Sequence, residues 1–385
     1  MTAGLSPEFL RLIGAMMAIH AVMAVARITG TIWLLQQGHS AFLVGVQLAL
    51  ISLTPALLAG PAGAWADRYG LWRPLVGGAL LAVIGVGSAL AWPSVPTLFA
   101  ASLGSGAAIA LAAVAVQREI ALIARSSTTH SQALYSWAAM GPALSNTLSP
   151  VVAGFVIDHA GFRPAFLLAL LMAPLAVWLL RAQRHTPHPG QHTASLMPAF
   201  DLLRNRPLRA MLVLNVVFAV SWDAHSFVVP VLAHGRGYSA STIGLLLGSF
   251  ALAVLGVRLL IVRFAGRYTE QGALRAALAL CIVVLGGYHW LPGVAGMAVG
   301  SFLLGLALGS VQPTLLSGMT RVTPSERHGQ ALGLRMLATN ATSVLMPVGF
   351  GSAAAVLGPA APLWLMALCA LAVWPVTGQR DPPHS

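Results

Sequence analysis

The feature that most limits how this chain can fold is the return, along nearly its whole length, of apolar stretches long enough to cross a lipid bilayer. A membrane-spanning helix needs about 20 predominantly apolar residues. Twelve such stretches fit: Phe9–Leu35, Leu43–Ala66, Pro74–Trp92, Pro96–Leu122, Gln132–Ile157, Pro164–Leu180, Leu208–Ala233, Thr242–Val262, Gly272–Trp290, Val294–Thr320, Gln330–Val356 and Ala361–Val376. Only 8% of the 385 residues are charged and 57% are hydrophobic, with a mean hydropathy of +0.82. A soluble domain carries roughly 25% charged residues, so this chain has nothing to cover a water-facing surface with. Its solvent must be lipid.

The net charge of +12 comes entirely from arginine, since the chain has no lysine. So basic a chain raises nucleic-acid binding as a possibility, but the arginines sit in short loops between apolar spans. The tendency of basic residues to stay on the cytoplasmic side explains them better. Nearly all loop arginines fall on one side, and Arg163 and Arg236 alone fall on the other. Both termini and the central loop are therefore expected in the cytoplasm. Trp33, Trp92, Trp290 and Trp374 near span ends suit interfacial anchors. Arg11 precedes an apolar stretch too long for a cleavable signal, so the first span is expected to remain in the protein. Cys281 and Cys369 lie in separate apolar stretches and read as small core fillers, with no disulfide inferred.

One polar stretch, Arg181 to Pro207, is longer than the others and divides the chain. Residues 1–181 form an expected first six-helix bundle, 182–207 a cytoplasmic linker, and 208–385 a second bundle. His185, His188 and His192 lie in the linker among Pro, Gly and Thr. A His-rich tract can bind metal, but a connecting segment is the simpler reading, and no metal or cofactor is expected.

The two halves resemble each other. Gly38, Ser40, Ala41 and Gly45 after the first span match Gly237, Ser239, Ala240 and Gly244 after the seventh, a shift of 199 residues. The same shift carries Arg68-Tyr69 onto Arg267-Tyr268, and a shift of 198 carries Gln132-Ala133-Leu134 onto Gln330-Ala331-Leu332. An even number of spans per half gives both halves the same orientation. The expected fold is thus an all-α membrane protein of twelve transmembrane helices in two parallel-repeat six-helix bundles, an arrangement that suits alternating access.

A loop motif gives the family. Gly63, Asp67, Arg68, Gly70 and Arg73 lie between spans 2 and 3. They resemble the signature loop of the major facilitator superfamily, with Trp72 where a basic residue is common. The resemblance covers essentially the whole chain and implies a bacterial inner-membrane transporter of small molecules rather than an enzyme. In this reading Asp67 gates the bundle by pairing with an arginine or facing a helix N-terminus; the alternative is an ordinary loop turn. The second half keeps Arg267 but has Gly266 in place of the acid, so the latch is expected on one side only. In span 5, superfamily antiporters show a glycine pattern that here reads Ser136, Ser145, Ser149-Pro150 and Ala153-Gly154. Ser149, Pro150 and Gly154 are small enough for close helix approach. They either tilt the reading toward export or mark a packing face alone.

Ionisable residues inside the spans carry the rest, because a charge in the bilayer is costly and faces a cavity or a partner. Arg27 lies just past the middle of span 1, with Asp223 and His225 in span 7. Under the repeat, Arg27 matches Ser226, which sets Asp223 about one turn nearer the cytoplasm. Spans 1 and 7 line the central cavity in the superfamily, so the resemblance implies that Arg27 and Asp223 face each other. Arg27 would then bind an anionic or polar group and Asp223 take a proton; a buried ion pair that locks the fold is the alternative. His225 either joins a proton relay or points elsewhere on its helix. Arg118 and Glu119 either belong to the path or pair and snorkel at the rim. Arg258 and Arg335 lie near enough to cytoplasmic ends to snorkel, with Arg335 the better cavity candidate because Asn340 and Ser343 follow it. Gln117, Asn146 and Gln312 either line the path or bond between helices.

The sequence reading is a proton-coupled secondary transporter of a small organic solute, anionic or zwitterionic, with a slight lean to export. No nucleotide-binding loop is present, so a gradient must supply the energy. An uptake symporter and a transport-inactive sensor on the same fold are the rivals. The expected partners are the solute, protons and the lipid bilayer, with no nucleic acid, and the expected state is a monomer.

Overall fold

The computed structural model describes residues 6–126, 131–182, 200–263, 269–324 and 327–378. The described residues are built of helices: α1 Pro7–Gln36, α2 Ala41–Tyr69, α3 Trp72–Ala91, α4 Val95–Ala108, α5 Val114–Ser126, α6 Ser131–Ala160, α7 Phe162–Leu180, α8 Arg206–Gly235, α9 Ala240–Arg263, α10 Glu270–Gly287, α11 Gly293–Val322, α12 His328–Leu357 and α13 Ala361–Ala372. A π-helical turn, Ile109–Ala113, joins α4 to α5, so the two make one span. Among the described residues 11 helices are long and apolar enough to cross a membrane, and the shorter α13 stands where the twelfth span is expected. His185, His188 and His192 lie outside the described residues.

Local chemistry sets the helix starts. Ser6 caps α1, its Oγ accepting from the Phe9 amide at 3.2 Å, and Pro7 follows. Asn205 caps α8 in the same way, accepting from the Leu208 amide at 3.3 Å, with Pro207 just inside. A side-chain acceptor satisfies an amide that the first turn leaves without a partner, and proline there loses nothing. Residue 7 corresponds to 206 and residue 36 to 235, so α1 and α8 are displaced by 199 residues at both ends. The repeat visible in the loops thus extends to the helices themselves.

The chain divides into two units. Unit 1 comprises Met1–His39, Val46–His192 and Gly237–Gly248; unit 2 comprises Ser40–Gly45, Thr193–Arg236 and Ser249–Ser385. The core of unit 1 packs Phe9, Leu12 and Met16 of α1 against Leu71, Leu75, Val116, Ile120 and Leu180. In unit 2, Leu202 of a short 3-10 turn, Phe200–Arg204, packs with Leu208, Leu212, Met319, Ala331 and Leu334.

Each unit contains a seam where two backbones touch. In unit 1, a Cβ on Gly154 of α6 would collide with the Ala240 carbonyl oxygen, and one on Gly244 of α9 with that of Pro150. In unit 2, a Cβ on Gly45 of α2 would collide with the Pro347 carbonyl oxygen, and one on Gly351 of α12 would stand 2.8 Å from that of Ala41. The seams are the same in kind: Ala-x-x-x-Gly at a helix start against Pro-x-x-x-Gly late in another helix. Small residues are what let membrane helices approach this closely. Pro150 and Gly154, two of the residues expected in close packing, stand at this seam. Asp158, one turn past Gly154, adds a hydrogen-bonded clasp, accepting from the Ala240 amide at 3.0 Å and the Ser241 amide at 2.7 Å.

Gly154→Val forces a side chain into carbonyl oxygen and should destabilise unit 1 by about 1–3 kcal/mol or more. Gly63→Ala, inside α2, meets no heavy atom within 4 Å and should keep stability or raise it by up to about 1 kcal/mol. Apparent melting temperatures of the two purified variants in detergent check the contrast.

Candidate functional site

The signature segment is mostly helical rather than a loop, since α2 continues through Gly63, Asp67 and Arg68 to Tyr69 and only Gly70 and Leu71 separate it from α3; it is built around one carboxylate. Gly70 adopts φ +68°, a conformation that favours glycine, and turns the chain after α2. Asp67 accepts from Arg118 Nε at 2.8 Å, and Arg118 Nη1 donates to Glu119 at 2.9 Å. Glu119 is buried, with 8% of its side chain exposed, and Arg118 shows 14%. The sequence reading kept Asp67 apart from the pair at 118 and 119; the fold brings all three together. Arg68 and Arg73 are exposed and lie against Tyr69, 5.2 and 4.3 Å from its ring centre. Cations over an aromatic face gain modest electrostatic attraction.

Arg27, half-buried in α1, has its carbonyl oxygen held by Gln47 Nε2 at 3.2 Å. Gln47 also accepts from Thr31 Oγ1 at 3.1 Å and is 1% exposed. Gly30 makes room for it, since a Cβ there would stand 2.5 Å from the Gln47 amide nitrogen. Sequence reasoning missed Gln47. Its signal was a lone amide in an otherwise apolar second span.

In unit 2 a polar row runs between α8 and α12. Asn215 Nδ2 donates to Thr339 Oγ1 at 2.9 Å, and Ser343 Oγ donates to Asp223 Oδ2 at 3.0 Å. Positions 215 and 223 share one face of α8, and 335, 339 and 343 share one face of α12, because residues four apart stack on a helix. Arg335, Asn340 and Asp223 are half-buried. His225 turns another way. It is buried, stacked on Phe250 at 4.2 Å, with Nε2 3.0 Å from Ser301 Oγ. Tyr288 closes the group, its hydroxyl 2.7 Å from Ser301 Oγ and donating to the Met297 carbonyl at 3.1 Å. Arg258 Nη2 donates to the neutral amide of Gln312 at 3.1 Å. Gln117 and Asn146 are exposed.

These features place charge and amide groups on long apolar helices of two repeated halves, with an acid–arginine cluster and a glycine turn where α2 ends. The family model of the Major Facilitator Superfamily matches residues 12–347 and again 211–385. The chain belongs to this superfamily. A relative, the class B tetracycline resistance protein of Escherichia coli, is 26% identical over 339 residues, spanning 83% of this chain and 80% of that protein. The nucleoside transporter NupG superimposes with a TM-score of 0.77 at 11% identity, covering 97% of this chain and 100% of that one. A peptide transporter solved with sulfate gives 0.76 at 16% identity, covering 98% and 94%. At such identities the solved structures show the fold alone. The superfamily member is a membrane transporter, not an enzyme.

The sequence reading expected a latch in the first half only. Gly266 and Arg267, on which that rested, lie outside the described residues. The described part of the second half does carry an acid–cation pair. Glu270, at the start of α10, lies 2.9 Å from Arg321 and accepts from Ser317 Oγ at 2.6 Å. Ser317 is the position that a shift of 199 assigns to Arg118, and the acid has moved four residues along the chain. The displacement hid it from a position-by-position comparison. Asp201 and Arg327 form a two-pronged pair at 2.7 and 2.9 Å outside the spans. The hydrogen-bonded guanidinium holds the Asp201 carboxyl below its usual range and raises the arginine in turn. Exposed pairs of this sort contribute little and are screened by salt.

Arg118→Gln leaves the buried Glu119 without its Arg118 partner and should destabilise the transporter by on the order of 3 kcal/mol. Adding Glu119→Gln should restore much of the loss. Thermal unfolding of the single and double variants measures both.

Proposed function

We propose that the protein is a secondary active transporter that moves a small organic solute by alternating access, coupled to protons, with export favoured over uptake. The observation that carries the reading is Asp223, an acid within the span of α8 that accepts a hydrogen bond from Ser343 of α12. A carboxylate at such a depth is expensive to keep ionised, and a proton relieves that cost. Gain and loss of the proton at Asp223 then gives the membrane gradient a handle on the protein. Arg27 in unit 1 supplies a cation for the transport path and favours a solute that is anionic or zwitterionic. The tandem repeat supports alternating access, since two like halves offer two equivalent arrangements of the same helices. Export draws support from the relative named for tetracycline resistance. The protein is placed by this reading in a bacterial inner membrane with both termini in the cytoplasm, as a monomer.

Asp223→Asn keeps the size of the side chain and its hydrogen bond from Ser343 but cannot titrate. In proteoliposomes the variant should lose at least about tenfold of the gradient-driven flux, the scale of one lost charge-dependent step, while its yield stays near that of the parent. Undiminished coupling in the variant would remove Asp223 from the mechanism.

A further inference from the structure

We propose that Arg335 of α12 is the anchor for a carboxylate or phosphate group on the transported solute, held edge-on by Nε and one Nη of its guanidinium. This rests on the transport reading and names the chemistry of its cargo.

Arg335 fits neither ordinary role of an arginine within a span. Arg335 lies five residues past the start of the Gln330–Leu357 span, roughly 7–8 Å along the helix at 1.5 Å per residue. A structural arginine at this depth is paired. Arg335 makes no hydrogen bond and no ion pair among the described residues, and its Nε is sealed from solvent without a partner. A snorkelling arginine buries its methylenes and keeps its donors wet. Here the innermost donor is the sealed one, while the residue as a whole remains half-exposed.

The described acids of unit 2 are engaged elsewhere. Glu270 pairs with Arg321, Asp201 pairs with Arg327, and Asp223 receives Ser343 two turns beyond Arg335. The other intramembrane arginine of unit 2, Arg258, meets the neutral amide of Gln312. On α12, the position one turn on from Arg335 is Thr339, tied to Asn215 of α8. Among the described residues of unit 2, Arg335 therefore finds no acid to pair with. A cation kept at this depth with an unmet donor is costly to the empty protein, and intramembrane cations of this kind mark ion and solute paths.

The geometry of the unmet donor selects the ligand. Nε and the adjacent Nη point the same way and match the two oxygens of a carboxylate or phosphate, which reach Nε once the packing that covers it in this conformation opens. A neutral amide or a cation gains nothing from them. Lysine keeps the charge and loses the fork, so the proposal separates charge from shape.

The test uses the full chain, purified in neutral detergent. Apparent melting temperature is followed against sodium acetate, inorganic phosphate and acetamide, with sodium chloride holding ionic strength constant. The parent should be stabilised by acetate or phosphate and not by acetamide, because a ligand bound to the folded state raises its apparent stability. Arg335→Lys, folded as judged by an unchanged melting temperature in chloride, should bind the same anions about 10- to 100-fold more weakly, as expected for losing a charge-assisted hydrogen bond. Arg335→Gln should not respond. No response in the parent, or equal affinity in Arg335→Lys, overturns the proposal. A lipid headgroup offers the same phosphate chemistry, so the parent is also compared in phosphatidylcholine and phosphatidylglycerol nanodiscs. Stabilisation through Arg335 by phosphatidylglycerol alone, with no effect of acetate or phosphate, overturns it as well. The two readings fail separately. If the anion response is absent and Asp223→Asn still abolishes coupling, only the anion anchor falls. If anions bind at Arg335 and no solute moves in proteoliposomes, the transport reading falls.

Discussion

Charge inside a bilayer is the constraint from which the rest of this structure follows. Water is not there to solvate it, so every ionised group within the spans needs a partner, a route to the surface or a polar opening. Asp67, Arg118 and Glu119 satisfy one another at the end of α2 and α5. Glu270 and Arg321 do the same between α10 and α11. Among the described residues, Arg27, Asp223, Arg258 and Arg335 are further charged side chains within the spans.

The scaffold was legible in the sequence for a physical reason. Apolar length fixes a span because the bilayer has a fixed thickness, and helix starts such as Ser6-Pro7 and Asn205 carry their own capping chemistry. The repeat was legible through Ser40-Ala41 and Ser239-Ala240, though not its purpose. Only the fold reveals that Gly45 and Gly244 are glycine because a carbonyl oxygen of another helix occupies the space of their missing side chains.

The site was less legible, because sequence gives depth along a helix and not direction around it in the presence of neighbours. Asp67 and Arg118 are 51 positions apart, and nothing in the spacing pairs them. His225, two residues from Asp223, looked like a candidate relay partner, yet it packs into Phe250, Ser301 and Tyr288. Glu270 escaped notice because a motif comparison assumes that an acid stays in register, whereas an ion pair tolerates a shift of one helical turn if its partner shifts too. Arg321, four residues beyond Ser317, has done so. Gln47 was hidden by its neutrality, since an amide that satisfies itself locally leaves little trace in a hydropathy profile.

The two backbone seams have a consequence for motion. Where helices meet through side chains, parting them releases rotamers that must be ordered again at each return, and that ordering costs free energy. At Gly154 against Ala240, or Gly45 against Pro347, there are no rotamers to order. Such contacts resemble smooth bearing faces: if they part, closing them again would ask for almost no reordering of side chains.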